Sequence, residues 1–470
     1  MFSFRIFALL ALLTYQASAQ DFAPLKPYGA APSPQQLAWH RLQYYSFVHF
    51  NMNTFTDKEW GEGRESPQTF NPTALDCRQW ARICKAAGMK GIILTAKHHD
   101  GFCLWPTAFS EHSVKNSPWR DGKGDVLREL ADACKAEGLK FGVYLSPWDR
   151  NHPSYGTPEY NEVFKNTLAE VLTNYGDVFE VWFDGANGEG PNGKKQVYDW
   201  PGFVGVVRKH QPNAVIFSDA GPDIRWIGNE KGHAWATNWA TLNRDKFYPG
   251  YPKTDEFKAG NEDGTHWVPG EVDVSIRPGW YYHAGEDGKV KTPDSLLRIW
   301  HASVGQGSNL LLNIPVDRRG QIHPADSASL MGFKTLRDSA FARNLALNQI
   351  AKPTTSRPGA GAAHLLDGKP DTYWSTLPGV RTASIELELG DDFKEFTTVV
   401  LQEGIQFGQR VKAFNVEVFD SEKDKFVEIA RGTTIGPQRI LKFPRQRAYL
   451  MRINIQSSKD SPVLTEIAVY

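Results

Sequence analysis

Cys84-Lys-Ala-Ala-Gly-Met-Lys and Cys134-Lys-Ala-Glu-Gly-Leu-Lys are near copies of one another. Each closes an amphipathic helix, over residues 76–87 and 126–137, on a glycine and runs into a stretch almost free of polar residues, 91–97 and 141–145. A glycine past the last turn supplies the left-handed conformation that stops a helix. A strand without polar alternation is one buried on both faces, as in a parallel sheet covered by helices. The repeated unit is therefore helix, turn, buried strand.

The same rhythm starts with a strand at 44–50. It continues after the copies with helix 160–174, strand 177–183, helix 197–210 and strand 214–218. Two weaker strands follow near 236–239 and 273–276, then helix 295–304 and strand 309–314. About eight strands over roughly 300 residues predict a (β/α)8 TIM-like barrel. A doubly wound open sheet is the competing α/β layout, but no G-x-G-x-x-G follows the first strand. Beyond a helix-like stretch to about residue 344, short alternating strands at 384–389, 397–402, 414–419, 448–455 and 464–469 predict a C-terminal β-sandwich. The expected division is a signal peptide at 1–19, a barrel at 20–343 and the sandwich at 344–470.

Arg5, the apolar run 6–13 and Ala17-Ser18-Ala19 read as a secretory signal cut after Ala19. No later stretch is long and apolar enough to span a bilayer, and no cysteine follows the cut to carry a lipid. The protein is expected to be exported, periplasmic or extracellular, with no membrane anchor. Cys77, Cys84, Cys103 and Cys134 could form two disulfides in that compartment. Three of them fall in helices, which favours buried free thiols. With 53 basic and 53 acidic residues, nothing in the charge points to nucleic acid. The 15 Trp, 16 Tyr and 27 Phe suit sugar stacking or a large core equally.

In a parallel barrel the C-terminal strand ends converge on one pocket. Those ends carry His49 and Asn51, then His98, His99 and Asp100, then Tyr144 and Trp148, then Asp184, then Asp219, with Glu59 and Trp60 on the first loop. Histidines with a carboxylate could ligate a metal. Adjacent His98 and His99 would leave a strand on opposite faces, however, and no H-x-H or H-E-x-x-H occurs, so no metal is expected. Histidines that merely cap strands are the blander reading, and three in convergent positions weigh against it. What remains is a pocket of neutral donors and acceptors walled by Trp60 and Trp148 around one carboxylate, which describes a sugar site. A retaining glycosidase sets two carboxyls about 5 to 5.5 Å apart. Asp184, closing Val181-Trp182-Phe183-Asp184-Gly185, suits the nucleophile. The acid is left open among Glu230, Glu256, Glu262 and Glu271.

These motifs resemble the α-L-fucosidases of glycoside hydrolase family 29 over about residues 35–340. The matching residues are Phe47-Val-His49-Phe-Asn-Met-Asn-Thr-Phe with Glu59-Trp60-Gly61, Ala96-Lys-His98-His99-Asp-Gly-Phe, Tyr144-Leu-Ser-Pro-Trp148-Asp and Val181-Trp-Phe-Asp184-Gly-Ala. The resemblance implies that Asp184 is the nucleophile and that His49, His98, His99, Glu59, Trp60 and Tyr144 line a fucose pocket, with no cofactor. Ile224-Arg-Trp-Ile-Gly-Asn-Glu230 and Ser275-Ile-Arg-Pro-Gly-Trp-Tyr-Tyr-His283 look like the subfamily acting on α-1,3/1,4-linked fucose of branched, Lewis-type glycans. That likeness selects Glu230 over Glu271 as acid/base and puts Arg277 and Trp280 near the leaving group. The tail is similar to discoidin-like (F5/8 type C) modules through Asn344-Leu-Ala, Leu366-Asp-Gly-Lys with Tyr373-Trp374, and Ile467-Ala-Val-Tyr. Such a module binds glycan or only braces the barrel, and it can hold a structural calcium. The expected partner is a fucosylated glycan. The alternatives are an exo-glycosidase for a related sugar such as galactose, and a silent fucose-binding protein.

Overall fold

The computed structural model describes residues 24–470, so the expected signal peptide lies outside the described residues. Eight parallel strands close into a barrel: β1 (Tyr44–Val48), β2 (Gly91–Lys97), β3 (Lys140–Leu145), β4 (Val178–Trp182), β5 (Val215–Ser218), β6 (Ile224–Trp226), β7 (Gly270–Ser275) and β8 (Asn309–Asn313). Each pairs with its neighbours in sequence, and β8 closes on β1 with Tyr44 opposite Leu310.

The near copies form the same piece of structure twice. Helices Cys77–Ala86 and Val126–Glu137 start on Asp76 and Asp125, whose side chains accept from the backbone N–H three residues on, and they end on Gly88 (φ 85°) and Gly138 (φ 72°). A capping aspartate contributes about 1 kcal/mol, and the positive φ is what glycine supplies without strain. Cys84 and Cys134 sit fully buried on the inner faces of these helices, and all four cysteines are free and buried.

Strand residues alternate between two environments. Tyr44, Val48, Ile92, Leu94, Val181 and Leu312 pack outward under the helices, whereas Tyr45, Phe47, Ile93, Tyr144, Trp182, Phe217 and Leu311 fill the barrel. Burying each such side chain is worth about 1.5 to 3 kcal/mol. Trp182 is the centre of the interior, stacked on Phe217 (centroids 4.0 Å apart) and on Tyr144 (5.3 Å).

The barrel departs from the predicted pattern around β6. The sixth strand is Ile224–Trp226, not 236–239, and no α-helix separates β5 from β6 or β6 from β7; the only helical pieces in the second connection are the short 3-10 turns Arg244–Lys246 and Thr254–Glu256. The stretch 236–240 instead docks on the sandwich. Asn238 N donates to Thr434 Oγ1 (3.0 Å), Ala240 N to Gln409 Oε1 (2.7 Å) and Arg439 Nη1 to Ala236 O (2.9 Å). Its backbone groups are thus satisfied across the interface rather than in the barrel. Buried Arg225 stands where a helix would be and gathers the carbonyls of Phe257 (3.0 Å) and Val268. The seventh strand begins at Gly270, three residues before the predicted 273.

The C-terminal region is two antiparallel sheets. One has the order Ile350–Pro353, Ala383–Glu388, Leu450–Ser458, Val411–Asp420, Lys425–Gly432, and the other Trp374–Ser375, Val463–Val469, Lys394–Glu403, Arg439–Ala448. Trp374, Ile385, Leu401, Phe414 and Ile453 form the core between them. The predicted strand 448–455 is two elements, because Tyr449 carries the chain from one sheet to the other.

Candidate active site

Where β1, β3, β4 and β8 end, the inward column changes from apolar to polar. Phe47 is followed two residues on by His49, Tyr144 by Ser146, Trp182 by Asp184 and Leu311 by Asn313. All four lie at one end of the barrel.

His49 is buried with Nδ1 2.7 Å from Asn313 Oδ1. Asn313 spends its Nδ2 hydrogens on Ser275 Oγ (2.9 Å) and the Trp280 carbonyl (2.8 Å), so its oxygen faces the ring. His49 must then donate from Nδ1, which leaves Nε2 as an acceptor. His99 is held in the same way. Its Nδ1 lies 2.7 Å from Ser146 Oγ, which donates to the Trp148 carbonyl at 3.1 Å. Nε2 is left 3.6 Å from Asp184 Oδ2, and these two acceptors cannot bond each other but can share a hydroxyl placed between them. His98 stacks on Tyr144, with rings 5.8 Å apart and 18° from parallel.

The strand ends at Lys97, so strand alternation no longer separates the two histidines. Both enter one pocket with ring centroids 4.1 Å apart. Burial pushes His49 down to about 3 and His99 to about 4, and drives His98 well below the ordinary histidine range. All three rings are neutral at physiological pH, each offering one donor and one acceptor.

Asp184 receives the Tyr144 hydroxyl on Oδ2 (2.9 Å) and the Ala186 N–H on Oδ1 (2.8 Å). Burial, then the Asp184 charge, raises Tyr144 well above the ordinary phenol range, so it remains a donor. Next to Gly185 lies Asp219, which accepts from Gly250 N at 2.9 Å and is pushed up to about 6 by burial and by Asp184. Trp60, 54% exposed, stands edge-on to His99 (5.3 Å) and Trp148 (5.5 Å) and forms the outer wall. Behind that wall Lys97 and Asp149, both buried, pair at 3.1 Å, and Lys97 also donates to the Ser146 (2.9 Å) and Trp148 (3.3 Å) carbonyls.

Of the four open carboxyls, Glu230 alone borders this pocket. It is exposed at the rim, and Trp280 Nε1 donates to its Oε2 at 3.1 Å. Partial desolvation raises its pKa, the Trp280 bond opposes that rise, and the charges of Asp184 and Glu59 add to it. Glu256 bonds the Tyr251 hydroxyl (3.0 Å), and Glu262 pairs with Lys412 of the sandwich (2.6 Å). Glu271 lies deep in the barrel, bonded by the Tyr45 hydroxyl and by Trp182 Nε1 (2.9 Å), and does not reach the pocket.

Two further residues take up the loop after β7. Arg277 is buried beneath its loop, bonded to Asp326 (2.9 to 3.1 Å) and Asp287 (2.8 Å), and so braces the loop that carries Trp280 instead of facing the pocket. Glu59 turns to that same loop, accepting from Trp280 N (2.8 Å) and Tyr281 N (3.2 Å). Asn313, Ser146 and His283 escaped sequence reasoning. Asn313 ends the eighth strand and Ser146 directly follows the third, so the same strand-end rule reaches both, whereas His283 lies well past its strand.

The description "Alpha-L-fucosidase" belongs to the family model that matches residues 26–334. This chain belongs to that family. It is 39% identical over 474 residues to α-L-fucosidase 1 of Arabidopsis thaliana, covering 99% of this chain and 93% of that one. The structure superposes on SpGH29 with a TM-score of 0.91 at 39% identity, over 95% of this chain and 99% of the other. A glycoside hydrolase family 29 fucosidase of Ruminococcus gnavus in complex with fucose gives a TM-score of 0.88 at 30% identity, over 96% of both chains. Both superpositions span barrel and sandwich, so the family likeness extends well past residue 334.

Proposed function

We propose that the protein is an exported, retaining exo-α-L-fucosidase. The observation that carries this reading is the held carboxylate: Asp184, fixed by Tyr144 and the Ala186 N–H, stands beside neutral histidines, while a second carboxyl of raised pKa, Glu230, lies at the rim. In the first step Asp184 attacks the anomeric carbon as the glycosidic C–O bond breaks, and the proton of Glu230 passes to the departing oxygen. In the second, water attacks the same carbon, Glu230 takes its proton and Asp184 is released. His49 and His99, each with a free Nε2 acceptor, receive fucose hydroxyls, and Trp60 and Trp148 wall the ring.

The Glu230 and Trp280 motifs support α-1,3/1,4-linked fucose on branched glycans as substrate, and the sandwich is read as a discoidin-like module. The test is fucose release from an aryl α-L-fucoside and from α-1,2-, α-1,3-, α-1,4- and α-1,6-linked oligosaccharides, run beside an aryl galactoside. Asp184→Ala should abolish turnover with the fold intact, and near-normal activity would sink the assignment. Preference for α-1,2 or α-1,6 linkages would remove the subfamily reading alone.

A further inference from the structure

Glu59 and Trp280 stand on different barrel loops, and His283 joins them. Helix Met52–Thr56, just past β1, ends on Asp57 in the left-handed region (φ 59°). The Asp57 and Glu59 carboxylates both meet one imidazole: His283 Nδ1 is 2.9 Å from Asp57 Oδ1, and Nε2 is 2.7 Å from Glu59 Oε1. A ring with an anionic acceptor at each nitrogen needs a proton on both, which makes it an imidazolium. The loops approach so closely that a Cβ on Gly279 would stand 2.4 Å from Glu59 Oε1. From Glu59 the chain of bonds continues through the Trp280 N–H (2.8 Å) and from Trp280 Nε1 to Glu230 (3.1 Å).

We propose that His283 is a positioning residue: clamped as a cation between Asp57 and Glu59, it locks the loops after β1 and β7 together and so sets Trp280, and through it the Glu230 carboxyl, over the glycosidic oxygen. This rests on the fucosidase reading. The charged groups around the ring are Asp57 and Glu59 on the first loop, Glu286 and Asp287 on its own loop, Arg277, whose Nη1 lies 3.5 Å from the His283 carbonyl, and Arg318, 3.7 Å from Asp57. Burial works against the charge, but the bonds to Asp57 and Glu59 outweigh it and hold His283 above the ordinary histidine range. The clamp is therefore closed below that raised value and opens as the pH rises past it.

The experiment compares wild type, His283→Gln and Asp57→Asn on an aryl fucoside, whose leaving group departs unaided, and on a fucosyl oligosaccharide that needs the acid. His283→Gln should lower kcat/KM on the oligosaccharide about tenfold more than on the aryl fucoside, a part of the usual acid-catalysis factor. Asp57→Asn, the milder change, should move the alkaline limb on the oligosaccharide to lower pH. The His283 ring-proton resonance, identified by its absence in His283→Gln, should titrate above free histidine in wild type and fall in Asp57→Asn. That titration needs no turnover. If wild type releases no fucose yet His283 titrates as stated, the fucosidase reading fails and the clamp stands. A wild-type His283 that titrates like free histidine, or variants with the wild-type substrate ratio and pH profile, would overturn the clamp.

Discussion

The Tyr144 hydroxyl and the Asp184 carboxylate are joined by a 2.9 Å hydrogen bond between the ends of neighbouring strands. A bond to an ionised group is worth about 1.5 to 3 kcal/mol. Tyr144→Phe keeps the ring stacked between His98 and Trp182 and removes only that donor. The variant should lose about 10- to 100-fold in kcat/KM on an aryl fucoside, with an unchanged near-UV circular dichroism spectrum. A loss confined to stability would make the tyrosine a core residue and nothing more.

Gly185 follows Asp184 because no side chain fits there. A Cβ at that position would lie 2.1 Å from Asp219 Oδ2, a carboxylate already held by Gly250 N. Gly185→Ala must move Asp219 or the Asp184 backbone, and a displacement of about 1 Å at a reacting group can cost about 100-fold in rate. Turnover should fall by roughly that factor. Adding Asp219→Ala opens the space again, so the double variant should be more active than Gly185→Ala alone, a non-additivity read directly from the four rates.

In the proposed mechanism Glu230 must be protonated to act as the acid. Its raised pKa extends the protonated form towards neutrality, and activity should fall as pH rises through it. Glu230→Gln should lose about 100- to 10,000-fold on oligosaccharides and much less on activated aryl fucosides, with the alkaline limb gone. Added azide, which needs no base to attack the fucosyl-enzyme, should restore aryl turnover and yield fucosyl azide. Failure of that rescue would move the acid/base role to another residue.

The helix, turn and strand repeat made most of the barrel legible, because Gly88 and Gly138 end their helices where the sequence says they must. Strand ends are legible for the same reason: His49 and Asp184 are two-residue continuations of apolar columns, and Tyr144 is the last member of one. What failed was the region from β5 to β7, where strand contacts replace helices and the backbone of 236–240 bonds to residues about 170 to 200 positions away. No local pattern encodes such pairing. Arg277 reads as a ligand because it stands in a pocket motif, whereas its partners are Asp326 on the helix Pro324–Ala340 and Asp287 ten residues on in the same loop. His98 and His99 were separated by a strand rule that stopped applying one residue too early.

Beneath the pocket Glu271 and Glu180 face each other inside the barrel. Trp182 Nε1 (2.9 Å) and the Tyr45 hydroxyl hold the first, and Trp39 Nε1 (3.0 Å) holds the second. Burial raises Glu271 to about 7, and burial with the Glu271 charge drives Glu180 well above the carboxylate range, so the pair keeps a proton at neutral pH. A folded pKa above the unfolded value, about 4.3 for Glu, gives stability that is complete below about 4 and lost as pH rises through 7. Glutamine keeps the size and cannot ionise. Glu271→Gln should therefore cost about 1 kcal/mol at pH 5 through disturbed hydrogen bonds, and recover or exceed wild-type stability by pH 8.5. Urea unfolding followed by tryptophan fluorescence at both values measures the crossover. Because Trp182 stacks directly under Tyr144, the same pair sets the floor on which Asp184 stands, and a difference that does not change with pH would mean that Glu271 carries no proton in the folded barrel.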